Sequence, residues 1–198
     1  MGGYRTVAGP AAVEVKIEKS LFLGYAAPTP DSAAAQALVA RLRQEHRQAT
    51  HVCFAYRLGD EPGAVTYFTD HGEPAGTAGK PILGAILRRD LTDVTVVVVR
   101  YFGGKKLGVR GLIAAYGQVA EAALAAAGLV LRRRLVNLRV ACAYRQFSAL
   151  THLVRQAGGE VGPPAYDARQ VRAEVQVPTE ALPALRTALA ALGAEIGE

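Results

Sequence analysis

The sequence predicts an α+β protein made of two small domains, each a two-layer α/β sandwich. Strand-like and helix-like apolar patterns alternate along the chain, as is typical of this class. A run rich in leucine and arginine, Gly128–Arg134, separates two such sets of patterns. With 198 residues, 51% of them hydrophobic, the chain is long enough for two cores. We therefore expect domains over residues 1–131 and 132–198.

The first domain is predicted to begin with two strands and a helix. Apolar and charged residues alternate over Val13–Ile17, as in a half-buried strand, and a second strand follows over Ser20–Ala26. The helix is expected to have Thr29 as its cap and Pro30 in its first turn, and to end near Arg47.

The centre of the first domain is predicted to be Val94–Val99. This unbroken β-branched run has the pattern of a strand that is buried on both faces. Further strands are expected over His51–Tyr56 and Val65–Phe68, and helices over Ile82–Arg88 and Leu112–Ala127. These elements complete a two-layer α+β domain.

The second domain is predicted to follow the order β-α-β-β-α-β. Strands are indicated by alternation over Val136–Cys142 and Val171–Val177, with a last short strand at Ala194–Ile196. Helical apolar stripes occur over Phe147–Ala157 and Leu182–Leu192, and a weak strand interrupted by two prolines lies between the first helix and the second full strand. This order is that of the ferredoxin-like unit.

The main candidate site is the basic, glycine-rich stretch that joins the central strand to the long helix. A helix start presents unpaired N–H groups and a partial positive charge, so basic side chains beside it predict an anion site, and adjacent aromatic rings can stack on bases. The predicted nucleic-acid-binding residues are Arg100, Tyr101, Phe102, Lys105, Lys106 and Arg110, with Lys80 from a second glycine-rich loop. The alternative is a flexible turn with solvated lysines. Arg100 has a further alternative, which is to neutralise a buried carboxylate such as Asp70 or Glu73.

The known phosphate-loop patterns are not met. The chain contains no G-x-G-x-x-G fingerprint, and the pattern G-x-x-x-x-G-K-[ST] fails at Pro74 and Pro81. We therefore expect no ATP hydrolysis by the loop before Lys80 and no cofactor. No histidine stands at metal-ligand spacing from a cysteine, so no metal site is predicted either.

His51 and Cys53 lie on one face of a predicted strand, which leaves two interpretations open. With Glu73 nearby they can form a Cys–His nucleophile pair. A cysteine on a central strand is more often a small core residue, with His51 as a hydrogen-bonded partner of the Asp70–Glu73 loop. We expect Cys53 to be buried beside His51.

Three blocks of sequence resemble the signatures of the IMPACT/YigZ family. They are A-T-H-V-C-F-A-Y from Ala49, T-D-H-G-E-P-A-G-T-A-G-K-P-I-L from Thr69 and R-Y-F-G-G-K-K-L-G-V-R-G-L-I-A-A-Y-G from Arg100. The resemblance covers roughly residues 15–130, and the remainder is similar to the small C-terminal domain of bacterial members. The chain departs from the family pattern at His71, where an acidic residue is usual, and at Lys105 and Val109–Arg110.

The resemblance implies a first domain like the second domain of a small-subunit ribosomal protein, a fold that also occurs in elongation factor G. It implies translational control through protein partners, which in eukaryotic members involves another domain. The family-motif residues are His51 and Cys53 of the predicted strand His51–Tyr56, and Asp70, Glu73 and Thr77 of the second glycine-rich loop.

The leading hypothesis is a non-catalytic protein that associates with nucleic acid or the ribosome and acts in the regulation of translation. The net charge of +6 is mildly basic, which permits contact with nucleic acid without demanding it. One alternative is an enzyme acting on a phosphorylated or nucleotide substrate, with His51, Cys53 and Glu73 in the site. Another is a plain protein-binding module.

RNA or the ribosome is the expected partner, and a protein partner is a second option. The sequence has two cysteines, no apolar signal core at its start and no stretch of membrane-spanning length. We therefore expect a cytoplasmic protein without a membrane partner. The sequence leaves the oligomeric state open.

Overall fold

The structure is a computed structural model that describes residues 3–59 and 62–197. The chain divides into two compact units, Tyr4–Arg132 and a second unit that starts at Arg133. Both units combine antiparallel sheets with helices, so the predicted α+β class is confirmed.

The first unit is built on a five-stranded antiparallel sheet. Its elements are β1 (Gly3–Val7), β2 (Ala11–Ile17), β3 (Ser20–Pro28), α1 (Ser32–Glu45), β4 (His51–Leu58), β5 (Val65–Thr69), α2 (Gly79–Arg88), β6 (Val94–Tyr101), α3 (Gly108–Ala126) and β7 (Leu129–Arg133). The sheet has the order β2-β3-β6-β4-β5, which places the valine-rich β6 at its centre, as expected. Every residue of β6 except Tyr101 is buried. A separate two-stranded sheet pairs β1 with β7.

Helices cover both faces of this sheet, where the sequence predicts two layers. Cys53 and Ala55 of β4 belong to the core under α2 and α3. Their neighbours Val52 and Phe54 point the other way and pack with apolar residues of α1. A third layer forms because β4 and β6 are apolar on both faces and each face requires a cover.

One local prediction is wrong, and one strand was not predicted. Helix α1 begins at Ser32 and not beside Thr29, because the Asp31 carboxylate accepts the Ala34 N–H at 2.8 Å and acts as the cap. The Thr29 hydroxyl is instead buried against the Thr95 hydroxyl, at 2.7 Å. The boundary run forms strand β7, whose pairing with β1 has no local sequence signal.

The second unit has the predicted β-α-β-β-α-β order. Its elements are β8 (Leu135–Cys142), α4 (Phe147–Gln156), β9 (Glu160–Val161), β10 (Ala165–Tyr166), β11 (Val171–Pro178), α5 (Leu182–Leu192) and β12 (Glu195–Gly197). The weak strand is split into β9 and β10, and both pair with β11. Strand β8 lies between β11 and β12, and apolar residues of α4 and α5 pack with the inner residues of the sheet.

Among the residues that the structure describes, no helix is both long enough and apolar enough to cross a membrane.

The Asp31 cap gives a test of the first unit. Replacing Asp31 by Ala removes the acceptor for the Ala34 N–H, and should lower the free energy of unfolding by about 0.5–2 kcal/mol. Replacing it by Ser keeps an acceptor oxygen and should cost much less. Urea denaturation followed by circular dichroism measures both. An unchanged midpoint for D31A would contradict the role of Asp31 as the cap.

Candidate functional site

The basic loop, Phe102–Leu107, leads from β6 into α3 and is held at its start. The Phe102 N–H donates to the Thr50 hydroxyl at 3.0 Å. A Cβ atom on Gly103 would lie 1.6 Å from the Lys19 carbonyl oxygen, so only glycine lets the loop pass the turn between β2 and β3. The backbone of Gly104 has a φ of 87°, which also favours glycine. The loop therefore follows a defined path.

The basic side chains of the loop and of the first turn of α3 are exposed but not equivalent. Lys105 donates to Glu18 at 2.6 Å, and both side chains are about half exposed. Lys106 and Arg110 are exposed, and no carboxylate among the described residues pairs with either. Lys80 is exposed in α2, one residue before Pro81, which packs beside Gly117 in the middle of α3. Lys80 thus lies outside the loop itself.

Arg100 is not part of the exposed basic surface. It is only 4% exposed and donates to Glu73 Oε1 at 2.6 Å and to the Ser20 hydroxyl at 3.2 Å. Its guanidinium also lies over the rings of Phe22 and Phe102, 5.4 Å and 5.3 Å from their centroids. The prediction that Arg100 contacts phosphate is therefore corrected, because burial and the ion pair occupy its charge. The alternative partner, Glu73, is the one that the structure shows.

Glu73 is the acceptor at the centre of a buried polar cluster. Its Oε1 atom accepts from Arg100 and from the Tyr116 hydroxyl, the latter at 2.8 Å, and lies 3.8 Å from His51 Nε2. The side chain of Glu73 is 3% exposed. Burial, followed by the Cys53 and Glu73 charges, raises the pKa of Tyr116 far above its ordinary value, so this hydroxyl stays protonated and donates.

Cys53 is buried on the same side of β4 as His51, as predicted. Its thiol donates to the Asp70 carbonyl oxygen at 2.8 Å, and its sulfur lies 3.6 Å from the Tyr116 hydroxyl. The His51 ring is turned elsewhere, with Nδ1 donating to the His71 carbonyl oxygen at 3.0 Å. Burial raises the pKa of Cys53 to about 12. A protonated thiol without a base beside it is a poor nucleophile.

Asp70 and Thr77 shape the loop that starts α2. The Asp70 carboxylate accepts the backbone N–H groups of Gly76, Ala78 and Gly79 at 2.8–2.9 Å. Burial alone would raise the pKa of Asp70, but these N–H donors and nearby Lys80 hold it below its ordinary value. The Thr77 hydroxyl donates to the Pro74 carbonyl oxygen at 2.7 Å. The N–H groups of the N-cap residue Ala78 and of Gly79, the first residue of α2, are therefore already bonded to Asp70 and are not available to a phosphate.

Tyr101 is tied to the far face of the sheet. Its hydroxyl bonds to His46 Nδ1 at 2.9 Å, while His46 Nε2 bonds to the Tyr25 hydroxyl at 2.8 Å. Tyr101 is half-buried in this chain of three rings, whereas Phe102 is 43% exposed. Of the two predicted stacking residues, Phe102 is the one that the loop presents to solvent.

His71 takes a structural role in the same region. Its Nδ1 atom accepts the Val52 N–H at 3.2 Å. Burial, then the charges of Arg43 and His51, lower the pKa of His71, so the ring remains a neutral acceptor. Its backbone has a φ of 38°, and Gly72 follows with a φ of 87°. The two residues turn the chain so that Glu73 can enter the interior.

Three residues of the cluster were not predicted from the sequence. Ser20 and Phe22 enter from β3, and Tyr116 from α3, where it packs edge-on against Phe22 at 5.4 Å between ring centroids. The signal for Tyr116 was its spacing of four residues from Leu112, which places a tyrosine on the buried stripe of α3. A buried tyrosine needs a partner for its hydroxyl.

The fold and the site define a class: a two-domain α+β protein with a basic surface loop supported by a buried ion pair. The sequence model of the Impact N-terminal domain matches residues 18–124 of the chain. The chain belongs to the IMPACT family. It is 37% identical over 162 residues to the IMPACT family member YigZ of Escherichia coli, covering 81% of this chain and 79% of that protein.

Two further relatives extend the comparison. The IMPACT family member YvyE of Bacillus subtilis is 36% identical over 154 residues, with 78% of this chain and 70% of that protein covered. A solved structure described as the crystal structure of an hypothetical protein has a TM-score of 0.72 and 33% identity, and the match covers 99% of this chain and 97% of that one. The similarity therefore extends over both units.

The Glu73–Arg100 pair gives a double-variant test. Either E73Q or R100M leaves one buried polar partner uncompensated, which should lower the free energy of unfolding by about 3–5 kcal/mol. The combined E73Q/R100M variant should lose much less than the sum. Urea denaturation measures all three. Additive losses would contradict direct coupling.

The matched control for this pair is the surface ion pair of Glu18 and Lys105. Because both side chains are about half exposed, E18Q and K105M should each change stability by no more than about 1 kcal/mol.

Cys53 gives a test of the catalytic alternative. In a C142A variant, which leaves Cys53 as the single thiol, a thiol reagent at pH 8 should react with the native protein only as fast as the protein unfolds. In urea the reaction should be stoichiometric.

The same thiol makes stability depend on pH. Folding raises the Cys53 pKa from 9.0 to about 12, so the unfolded state loses its proton first. The stabilisation is present below pH 9 and is lost as pH rises towards 12. In the labelling experiment, rapid reaction of Cys53 in the native C142A protein would favour the catalytic alternative.

Proposed function

We propose that this protein binds structured RNA, in the manner of a ribosome-associated factor, and acts in the regulation of translation without catalysing a reaction. The observation that carries the proposal is the pair of exposed cations, Lys106 and Arg110, that have no carboxylate partner among the described residues. They stand at the end of a strand and the start of a helix, beside the exposed ring of Phe102.

The support beneath these cations favours binding. The loop is anchored at Phe102 and Gly103, and α3 begins one residue after Leu107, so little freedom is lost when a ligand binds. Lysine and arginine side chains on a fixed backbone suit phosphate contacts, and arginine also forms bidentate contacts. An exposed phenylalanine beside them adds a surface on which a base can stack.

The buried cluster supports a function without chemistry. Its polar groups are hydrogen-bonded within the protein: Arg100 and Tyr116 donate to Glu73, and Cys53 donates to a backbone carbonyl oxygen. A catalytic acid, base or nucleophile needs a pKa near the working pH, whereas burial moves Cys53 and Tyr116 away from it.

Membership in the IMPACT family supports the assignment to translation. The relatives include a protein named Protein IMPACT homolog in Saccharomyces cerevisiae, 33% identical over 91 residues, 45% of this chain and 35% of that protein. The family resemblance implies translational control, and a basic RNA-binding loop is consistent with a factor that acts near ribosomal RNA.

The loop is tested by removing its two unpaired cations. The K106A/R110A variant should bind a structured RNA, such as a ribosomal RNA hairpin, more weakly than the parent at every sequence tried. The slope of log affinity against log salt should become shallower by about 1.5, because each lost phosphate contact removes about 0.7–0.9. Fluorescence anisotropy at several salt concentrations measures both.

The control variant removes the same amount of positive charge at two residues outside the loop. Arg5 and Arg186 are exposed and unpaired among the described residues, and they lie in β1 and α5. The R5A/R186A variant should keep the parental slope. Equal slopes for all three proteins, or a parent that binds no structured RNA, would overturn the proposal.

A further inference from the structure

The second unit carries an aromatic pair that the proposed function does not use. Tyr144, in the turn before α4, and Tyr166, in β10, stack with 7° between their planes and 6.0 Å between ring centroids. They are 49% and 64% exposed. Both side chains are therefore stacked on each other and still largely accessible to solvent. Two such rings are a surface on which a planar ligand can stack.

A cleft of about 610 Å³ lies beside the two rings. Its lining adds the hydroxyl groups of Ser148 and Thr151 and the basic side chains of His152 and Arg155. None of the residues that line it is acidic. The cleft therefore offers aromatic faces, hydrogen-bonding hydroxyls and positive charge together, and its volume lies in the range of small-ligand sites.

The charges around the cleft favour an anion. The segment Tyr144–Gln156 contains two arginines and a histidine and no Asp or Glu. Asp167, the acidic residue next to Tyr166, is occupied: its carboxylate accepts the N–H groups of Arg169 and Gln170 and pairs with Arg172 at 3.2 Å. Arg155 has no carboxylate partner among the described residues, so its charge is free for a ligand.

The aromatic pair is held in place before any ligand arrives. The Tyr144 hydroxyl donates to the Asp167 carbonyl oxygen. The Gln146 side chain accepts the Ala143 N–H at 3.1 Å and donates to the Leu192 carbonyl oxygen at 2.6 Å, which fixes the turn that carries Tyr144. Tyr166 is paired with Val171 in the sheet. Rigid aromatic residues lose little entropy on binding.

We propose that this cleft binds a nucleotide of single-stranded RNA. A base stacks on the exposed ring of Tyr144 or Tyr166, the phosphate contacts Arg155, and the Ser148 hydroxyl bonds to the sugar or base edge. The Thr151 hydroxyl donates to the Phe147 carbonyl oxygen at 2.9 Å and therefore serves the ligand only as an acceptor. The combination of stacking, hydroxyl and cationic contacts is the chemistry of single-strand recognition. The inference rests on the proposed function for the choice of RNA as the ligand, and it adds a second contact on a different unit.

The test uses the full chain and a fluorescent single-stranded RNA of ten nucleotides. The Y144L/Y166L variant should bind at least about fivefold more weakly, with an unchanged salt slope, because stacking does not displace counterions. R155A should instead make the slope shallower by about 0.7. The control is Y67L, since Tyr67 is also 49% exposed but lies in β5 of the first unit. Circular dichroism confirms that each variant is folded.

A second experiment identifies which residues contact the single-stranded RNA. Ultraviolet cross-linking of the parent to the same RNA, followed by mass spectrometry, should identify peptides that contain Tyr144 or Tyr166. Unchanged affinity of Y144L/Y166L, cross-links confined to other peptides, or a parent that binds no single-stranded RNA would each overturn the inference.

The two proposals fail separately. If K106A/R110A binds structured RNA as the parent does, while Y144L/Y166L loses affinity for the single strand, the proposal for the loop is contradicted and the proposal for the cleft is supported. If K106A/R110A loses affinity for structured RNA while Y144L/Y166L binds the single strand as the parent does, the proposal for the cleft is contradicted and the proposal for the loop is supported.

Discussion

The ion pair of Glu73 and Arg100 is the interaction on which the first unit is organised. Glu73 comes from the loop between β5 and α2, Arg100 from the end of β6, and Tyr116, which donates to the same oxygen, from α3. Burying two charges is costly, and their attraction offsets that cost only when further hydrogen bonds satisfy the remaining atoms. Here the Ser20 hydroxyl accepts from Arg100, the Tyr116 hydroxyl donates to Glu73, and two aromatic rings lie against the guanidinium, while Arg100 Nε has no hydrogen-bond partner among the described residues. The pair thus fixes how three segments meet.

This interior arrangement determines the surface above it. The Arg100 guanidinium lies between the rings of Phe22 and Phe102, and Phe102 is the first residue of the basic loop. The first residue of the loop is therefore held twice: its ring lies against the buried Arg100 guanidinium, and its backbone N–H donates to the Thr50 hydroxyl. These contacts fix the start of the loop that carries the exposed side chain of Lys106 and leads to that of Arg110 in α3. Arg100, which the sequence predicted as a phosphate contact, instead supports the start of the loop from the interior.

The sequence predicted the elements well where the pattern itself records burial. The unbroken Val94–Val99 run indicated a strand covered on both faces, and the alternation after Val136 indicated a strand of a second sheet, and the structure has both. Contacts between segments that are distant in the sequence could not be predicted from these local patterns. Strand β7 forms because β1 lies beside it, and no local pattern encodes that pairing. Likewise, the choice of Glu73 over Asp70 as the partner of Arg100 depends on Asp70 already accepting three backbone N–H groups, those of Gly76, Ala78 and Gly79, where the loop leads into α2.

The chemistry of the two candidate surfaces sets how each would contribute to RNA affinity. Two unpaired cations, with a third already paired to Glu18, provide few phosphate contacts, so the loop alone gives binding that is weak, independent of sequence and sensitive to salt. Stacking on tyrosine is insensitive to salt and tolerant of sequence. Contacts made by two units of one chain reinforce each other, since the second forms at the effective concentration set by the first. For a chain with a net charge of only +6, the proposed binding of RNA at physiological salt therefore requires stacking to supply the affinity that its modest charge does not.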